Sequence, residues 1–417
     1  MRSDSTRLPG GKGNIFTKSF FVLLSLSLVG LFFTAVRFAK GIGAVSNLSD
    51  GYPWGIWVAY DVAIGTAVSC GGYTVALLSY IINRGQYHTL VKSAILTSLF
   101  GSFLAASSIV VEIGRPWNAH GLLSATSWQP NSAFFELVLC LFGYLIALSL
   151  EYLPNLLALM GRGTPTSLRT IALNALMRRG LVAWQPAGEG RKPVASPQLG
   201  TLINRALICS AVAGIILPTM HQSALGSLML IASTKLHPLW HSPFLPLLFL
   251  INCIYFGYAI VIFVSILSSF VLERGFYNAQ LAAVGRVIPW LTMAWLVIRI
   301  GDVMRRDQVP AVFHGDFYSI FFLAECFLMG IGAIPFFRVG KKYSPRRLFL
   351  AAVVMLSGGG LYRFNVYLIG FNPGNGWHYF PSFAEVMIAV GIVSLEILAY
   401  QLLIKLLPPL PAQQARY

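Results

Sequence analysis

A histidine, a glutamine and a serine stand in a row at the end of the apolar run ALICSAVAGIILPTM, in the stretch LPTMHQSALGSL at 217–228. His221, Gln222 and Ser223 are each costly in hydrocarbon unless they meet a partner or water. Carboxylates recur in other apolar runs: Asp61 in WGIWVAYDVAIG, Glu112 in VVEIGRPW with Arg115 three residues on, and Glu136 in NSAFFELVLC. Arg299 and Asp302 repeat the three-residue spacing, and Glu325 and Glu396 interrupt two further runs. An imidazole can take or give one proton near neutral pH, and a buried carboxylate can pass another. A pocket of this kind with aromatic walls suits a molecule that is oily yet exchanges protons. A quinone is one, because its carbonyls accept hydrogen bonds and its reduction takes up two electrons and two protons. Ion transport is the competing reading, since carboxylate and histidine chains also mark proton paths.

The elements that must position these groups are membrane helices. Only 11% of the 417 residues are charged and 56% are hydrophobic, whereas soluble domains carry about 25% charged residues. Apolar windows of about 20 residues, each enough to cross a hydrocarbon core, recur along the chain. They predict an all-α polytopic membrane protein of about ten transmembrane helices, near 17–36, 54–82, 91–112, 132–153, 203–223, 245–272, 285–302, 317–337, 347–371 and 384–407. The long connection at 154–202, rich in Pro, Gly, Arg and Ser, reads as an irregular surface loop. The first span is too long for the core of a cleavable signal peptide.

The net charge of +16 would suit nucleic acid, but its distribution argues for topology instead. Lys and Arg crowd the N-terminal tail and the even-numbered loops, above all Arg162, Arg169, Arg178, Arg179, Arg191 and Lys192. The positive-inside rule then places both termini in the cytoplasm, in tails 1–16 and 408–417 around a transmembrane region 17–407. Anionic membrane lipid, not nucleic acid, is the expected partner of the basic excess. On this orientation His221 and Gln222 lie at the outer end of the fifth span. Asp61 lies roughly 10 Å below the outer end of the second, and Glu136 roughly 6 Å into the fourth. Trp54, Trp57 and Asp61 share a helical face by spacing. Glu112–Arg115 and Arg299–Asp302 suit ion pairs, which equally fit structural bonds at helix ends. Arg363 falls in the outer half of the ninth span, and Glu325 and Glu396 near mid-membrane.

Redox centres find little support. Cys70, Cys140, Cys209, Cys253 and Cys326 are scattered singly, without cluster spacing. Of seven histidines only His221 falls inside a span, so a bis-histidine haem lacks ligands, and no metal site or phosphate loop stands out.

The ordered motifs DGYPWGIWVAYDVAIGTAVSCGGY, NRGQYH, VEIGRPWN, NSAFFE, LPTMHQSALGSLM, KLHPLW, GDFYS and FNPG closely resemble the polysulfide reductase NrfD-type family, and above all its nickel–iron hydrogenase members. The resemblance runs from about residue 36 to the LLPPLPA tail. It implies two four-helix bundles, about 54–223 and 245–371, with flanking helices at about 17–36 and 384–407. It also implies no haem, and electron exchange between menaquinone or ubiquinone and a periplasmic ferredoxin-like iron–sulfur subunit. Hydrogenase large and small subunits would lie beyond that partner. The implied quinone pocket lies in the first bundle near the outer face of a bacterial inner membrane. That matches His221, Gln222, Asp61, Glu112, Arg115 and Trp57 as binding residues, with Glu136, Asp61 and His221 moving protons. Glu325, Glu396, Arg299 and Asp302 would extend a proton path inward. A b-type cytochrome anchor and the equivalent subunit of a sulfur-compound reductase are the alternatives. The 154–202 loop is longer than the family pattern.

Overall fold

The computed structural model describes residues 16–77, 88–163 apart from 125 and 127, 182–195 apart from 188 and 189, 197–271, 278–337, and 344–406 apart from 375. The expected cytoplasmic tails, and the basic residues at 164–181, lie outside the described residues. Among the described residues nine helices are long and apolar enough to cross a membrane, and the chain is an all-α multi-pass membrane protein. The second expected span departs from this pattern. It is broken into a π-turn, π1 (Trp57–Val62), followed by helix α2 (Gly65–Ala76).

The other crossings are α1 (Lys18–Lys40), α3 (His88–Glu112), α4 (Ala133–Gly163), α5 (Pro197–Ile231) and α6 (Leu245–Val271). A short α7 (Asn278–Gly285) leads into α8 (Ile288–Arg305), followed by α9 (Phe317–Phe337) and α10 (Pro345–Phe364). A second π-turn, π2 (Asn365–Ile369), continues α10, and α11 (Phe383–Leu406) closes the chain. The stretch expected as an irregular loop at 154–202 is shortened from both sides by helix, since α4 runs on to Gly163 and α5 starts at Pro197. Between them an antiparallel hairpin pairs Val182–Ala187 with Gly190–Ala195.

Helices α2 to α5 pack in one ring and α6, α8, α9 and α10 in a second, with α2 and α5 laid against α6. Helices α1 and α11 pair with each other outside the first ring, where α11 touches α3. They cross at backbone contact: a Cβ on Gly30 would lie 2.5 Å from the Gly391 Cα, so only small residues fit this crossing. The end of the bundles that carries Glu112, Asp316 and Glu385 is called the upper end below.

Local chemistry fixes the helix ends there. Ser382 and Glu385 form a capping box at the start of α11: the Ser382 hydroxyl accepts from the Glu385 N–H (3.1 Å) and the Glu385 carboxylate accepts from the Ser382 N–H (2.7 Å). The same carboxylate accepts from the Asn47 N–H and the Tyr379 hydroxyl, tying two connections together. Arg37, one residue past the expected span 17–36, is buried in α1. Its guanidinium donates to the Val111 and Ile113 carbonyls, both at 2.5 Å, at the C-terminus of α3. Orphan carbonyls and the negative end of the helix dipole make that a favourable seat for a cation. Arg37→Met is expected to destabilise the protein by about 3 kcal/mol, the scale of charged hydrogen bonds. A lower thermal midpoint in detergent and faster tryptic cleavage at Lys40 would report it.

Candidate functional site

The site is built on α5. Pro218 sits inside that helix, where it cannot donate to the carbonyl one turn back. Pro218 borders a narrow, partly open cavity between α2, α4 and α5. Thr66, Ser69 and Cys70 of α2, Cys140 and Tyr144 of α4, and Pro218, His221 and Gln222 of α5 line it. His221 Nδ1 lies 3.1 Å from the Leu137 carbonyl. A carbonyl only accepts, so Nδ1 carries the hydrogen and Nε2 of the neutral ring presents a lone pair. Nε2 and the Gln222 Oε1 are both buried without a protein partner. Two residues that line the cavity thus each carry a buried polar atom with no protein partner.

These residues sit deeper than the sequence suggests. Helix α5 does not end at 223 but continues through ALGSLMLI to Ile231, so His221 lies ten residues, about 15 Å, from the upper end of its helix. The cavity floor is hydroxyl-rich, which single-sequence reading misses. Tyr144 donates to the Ser69 carbonyl (3.2 Å), Ser69 donates to the Ser98 carbonyl (2.9 Å), and the Ser69 and Ser102 hydroxyls are in close contact.

Several expected members lie elsewhere. Asp61 is fully buried on π1, but it faces α3, where its Oδ2 accepts from Ser108 (2.8 Å) and its Oδ1 has no partner. Trp57 turns away from the cavity, because the wider π-turn breaks the 3.6-residue register that sequence spacing assumes. Its indole donates to the Glu385 carbonyl (3.1 Å) and packs with Val111, Ile388 and Ala389, while Trp54 donates to the Tyr367 carbonyl (3.0 Å). Glu112 and Arg115 do not pair. Glu112 is the last residue of α3, so no helical geometry carries the three-residue spacing. Its Oε1 instead accepts from the Gly55 N–H (2.7 Å), its Oε2 is unpartnered, and Arg115 is exposed. Glu136 is half-buried in the first turn of α4, one turn above Cys140 at the cavity.

Arg299 and Asp302 do not pair either. Arg299, fully buried, reaches across to Glu325 (3.0 Å) and to the Leu239 carbonyl (2.8 Å). Asp302 is held by Arg306 (2.8 Å) and Arg305 (3.4 Å) at its own helix end. Glu325 also accepts from the Trp240 indole (3.0 Å) and the Asn365 amide (2.7 Å), so both its oxygens are filled. Glu396 on α11 keeps an unpartnered buried Oε1. Among the described residues no three His, Cys, Asp or Glu side chains converge on a metal-sized site. The other histidines with described side chains, His120, His237, His241, His314 and His378, lie outside the spans. A haem with two axial histidines thus finds no ligand pair among the described residues.

The sequence matches the family model "Polysulphide reductase, NrfD" over residues 44–372. It is 35% identical over 403 residues to the "Probable Ni/Fe-hydrogenase 2 b-type cytochrome subunit" of Escherichia coli, covering 96% of this chain and 94% of that one. It is 20% identical over 420 residues, 94% of each chain, to a selenate reductase subunit of Mesobacillus selenatarsenatis. A shorter stretch of 130 residues, 31% of this chain and 30% of the other, is 28% identical to the "Menaquinone reductase, integral membrane subunit" of Nitratidesulfovibrio vulgaris. The two rings of membrane helices thus belong to a chain whose sequence carries the family pattern across most of its length, and the protein is a member of the polysulphide reductase NrfD family.

Proposed function

We propose that this chain is the quinone-reactive membrane subunit of a respiratory redox complex. It would exchange electrons between menaquinone or ubiquinone and a ferredoxin-like iron–sulfur partner docked at the upper end. The observation that carries this reading is the cavity within the membrane span, where His221 Nε2 and Gln222 Oε1 are buried and unpartnered. Either atom can accept a hydrogen bond from a quinol hydroxyl. As a quinol is oxidised, the His221 lone pair can take one proton; in the reverse direction the imidazolium returns it to a quinone oxygen. A relative named as part of a menaquinone reductase and one named as a hydrogenase subunit support this substrate class and a hydrogenase as the partner complex. The charge pattern supports a bacterial inner-membrane location with cytoplasmic termini and the upper end in the periplasm.

Proton handling is assigned on a different ground. Asp61 Oδ1, Glu112 Oε2 and Glu396 Oε1 are buried and free to take a proton or a water, and these three carboxylates are the proposed relay. Glu325, Arg299 and Asp302 were expected, with Glu396, to extend a proton path inward, but both oxygens of Glu325 and of Asp302 are already occupied. Glu136, at the rim, would pass protons between the cavity and the upper surface. Glu136→Gln is expected to slow quinone turnover several-fold while leaving assembly with the partner intact; unchanged turnover would remove it from the mechanism.

The direct test is to purify the protein in mild detergent, record a reduced-minus-oxidised optical spectrum, and extract the sample for quinone. Stoichiometric quinone without a haem band supports the reading. A stoichiometric haem band without quinone would replace it with a b-type cytochrome.

A further inference from the structure

Arg363 is fully buried on the last turn of α10 and makes no ion pair among the described residues. An unpaired buried charge costs several kcal/mol, and an aliphatic side chain would fill the same space without that cost. The guanidinium is spent instead on three acceptors from both bundles. Its Nε donates to Asn252 Oδ1 (2.5 Å) and one terminal nitrogen to the Phe249 carbonyl (3.1 Å), both on α6. The other terminal nitrogen donates to the Ala63 carbonyl (2.8 Å), at the junction where π1 passes into α2.

That junction sets where Asp61 points. A π-turn inserts an extra residue into the helical register, and such turns are marginal unless neighbours hold them. Here the register shows in the bond from the Ala63 N–H to the Val58 carbonyl (2.9 Å), five residues back. The bracing is reciprocal, since Trp54, just ahead of π1, donates to the Tyr367 carbonyl of π2 (3.0 Å). Arg363 lies two residues before π2, whose first residue, Asn365, donates to Glu325.

We infer that Arg363 is a positioning residue: by clamping the Ala63 carbonyl from the second bundle it holds π1 in register and so keeps the Asp61 carboxylate on Ser108. Its functional meaning rests on the proton role proposed for Asp61, but its geometry does not. A lysine keeps the charge but has one nitrogen in place of the three that reach Asn252, Phe249 and Ala63, so it cannot reproduce this set of bonds.

The test reads Asp61 directly in the purified full-length protein, with no quinone added. Its infrared carboxyl and carboxylate bands are identified by their loss in Asp61→Asn. Arg363→Lys is expected to move those bands although Arg363 does not touch Asp61. Tyr367→Phe deletes another link between the bundles, the hydroxyl bond to the Leu225 carbonyl (2.8 Å), and is expected to leave them in place. Should the lysine variant fail to fold, Asn252→Ala loosens the same guanidinium and is expected to move the bands in the same way. Bands unmoved by the Arg363 or Asn252 change, or moved equally by Tyr367→Phe, would overturn the inference. Because the bands report the Asp61 carboxyl group and not quinone binding or turnover, that failure would leave the quinone reading untouched.

Discussion

His221→Ala is expected to lower quinone turnover by roughly 10²–10⁴-fold, the range of a single general acid–base group. The reasoning starts from the ring's fixed tautomer. With Nδ1 held by the Leu137 carbonyl, proton exchange is left to the unpartnered Nε2 of a residue that lines the cavity. The other cavity groups are hydroxyls, thiols, an amide and hydrocarbon, none of which takes up a proton near neutral pH. His221→Gln retains an acceptor of similar reach but cannot ionise. Its loss of rate should therefore approach that of alanine if proton transfer dominates, and stay near wild type if His221 only orients the ring. The measurement is electron transfer between a chemical donor and a water-soluble quinone analogue in the assembled complex, with bound quinone counted separately. Full activity in both variants would move the reacting site away from this cavity.

The depth of that histidine marks where sequence reasoning stopped. The cost of His221 and Gln222 in a membrane is legible from residue type alone, and so are the apolar runs that became nine of the helices. The run ALGSLMLI after Ser223 is apolar enough to have signalled that the helix continues, but the polar triplet masked it. Asp61 was rightly singled out as buried, yet its direction depends on π1, and no periodicity in WGIWVAYDVAIG announces a five-residue hydrogen bond. The ion pairs failed for one shared reason: spacing along a helix names possible partners, while the actual partner comes from whichever helix offers a better-placed group. Glu112 met Gly55 and Arg299 met Glu325, at separations of 57 and 26 residues. Arg37, one residue past the expected first span, is buried because α1 runs on to Lys40 and the end of α3 offers its guanidinium two carbonyls.

The Arg299–Glu325 pair carries the largest stability effect. Both side chains are fully buried, and Glu325 receives three donors in all, from Arg299, Trp240 and Asn365. The Arg299 guanidinium carbon also lies 4.8 Å from the Phe322 ring centre. Removing one member of such a pair leaves an uncompensated charge, which costs about 3–5 kcal/mol, whereas replacing both by apolar groups is often neutral. Arg299→Met is therefore expected to lower the unfolding midpoint sharply, and Glu325→Leu likewise. The double replacement should recover most of the loss, less than fully, because Trp240 and Asn365 then lose their acceptor and stay buried. Midpoints measured in one detergent for the four proteins give the coupling directly. The double variant also settles the pair's role. With no titratable group left at this position, turnover at the wild-type rate would make the pair a structural bond of the second bundle. Turnover lost in a folded double variant would return Glu325 to the proton path, and the relay would then have to cross both bundles.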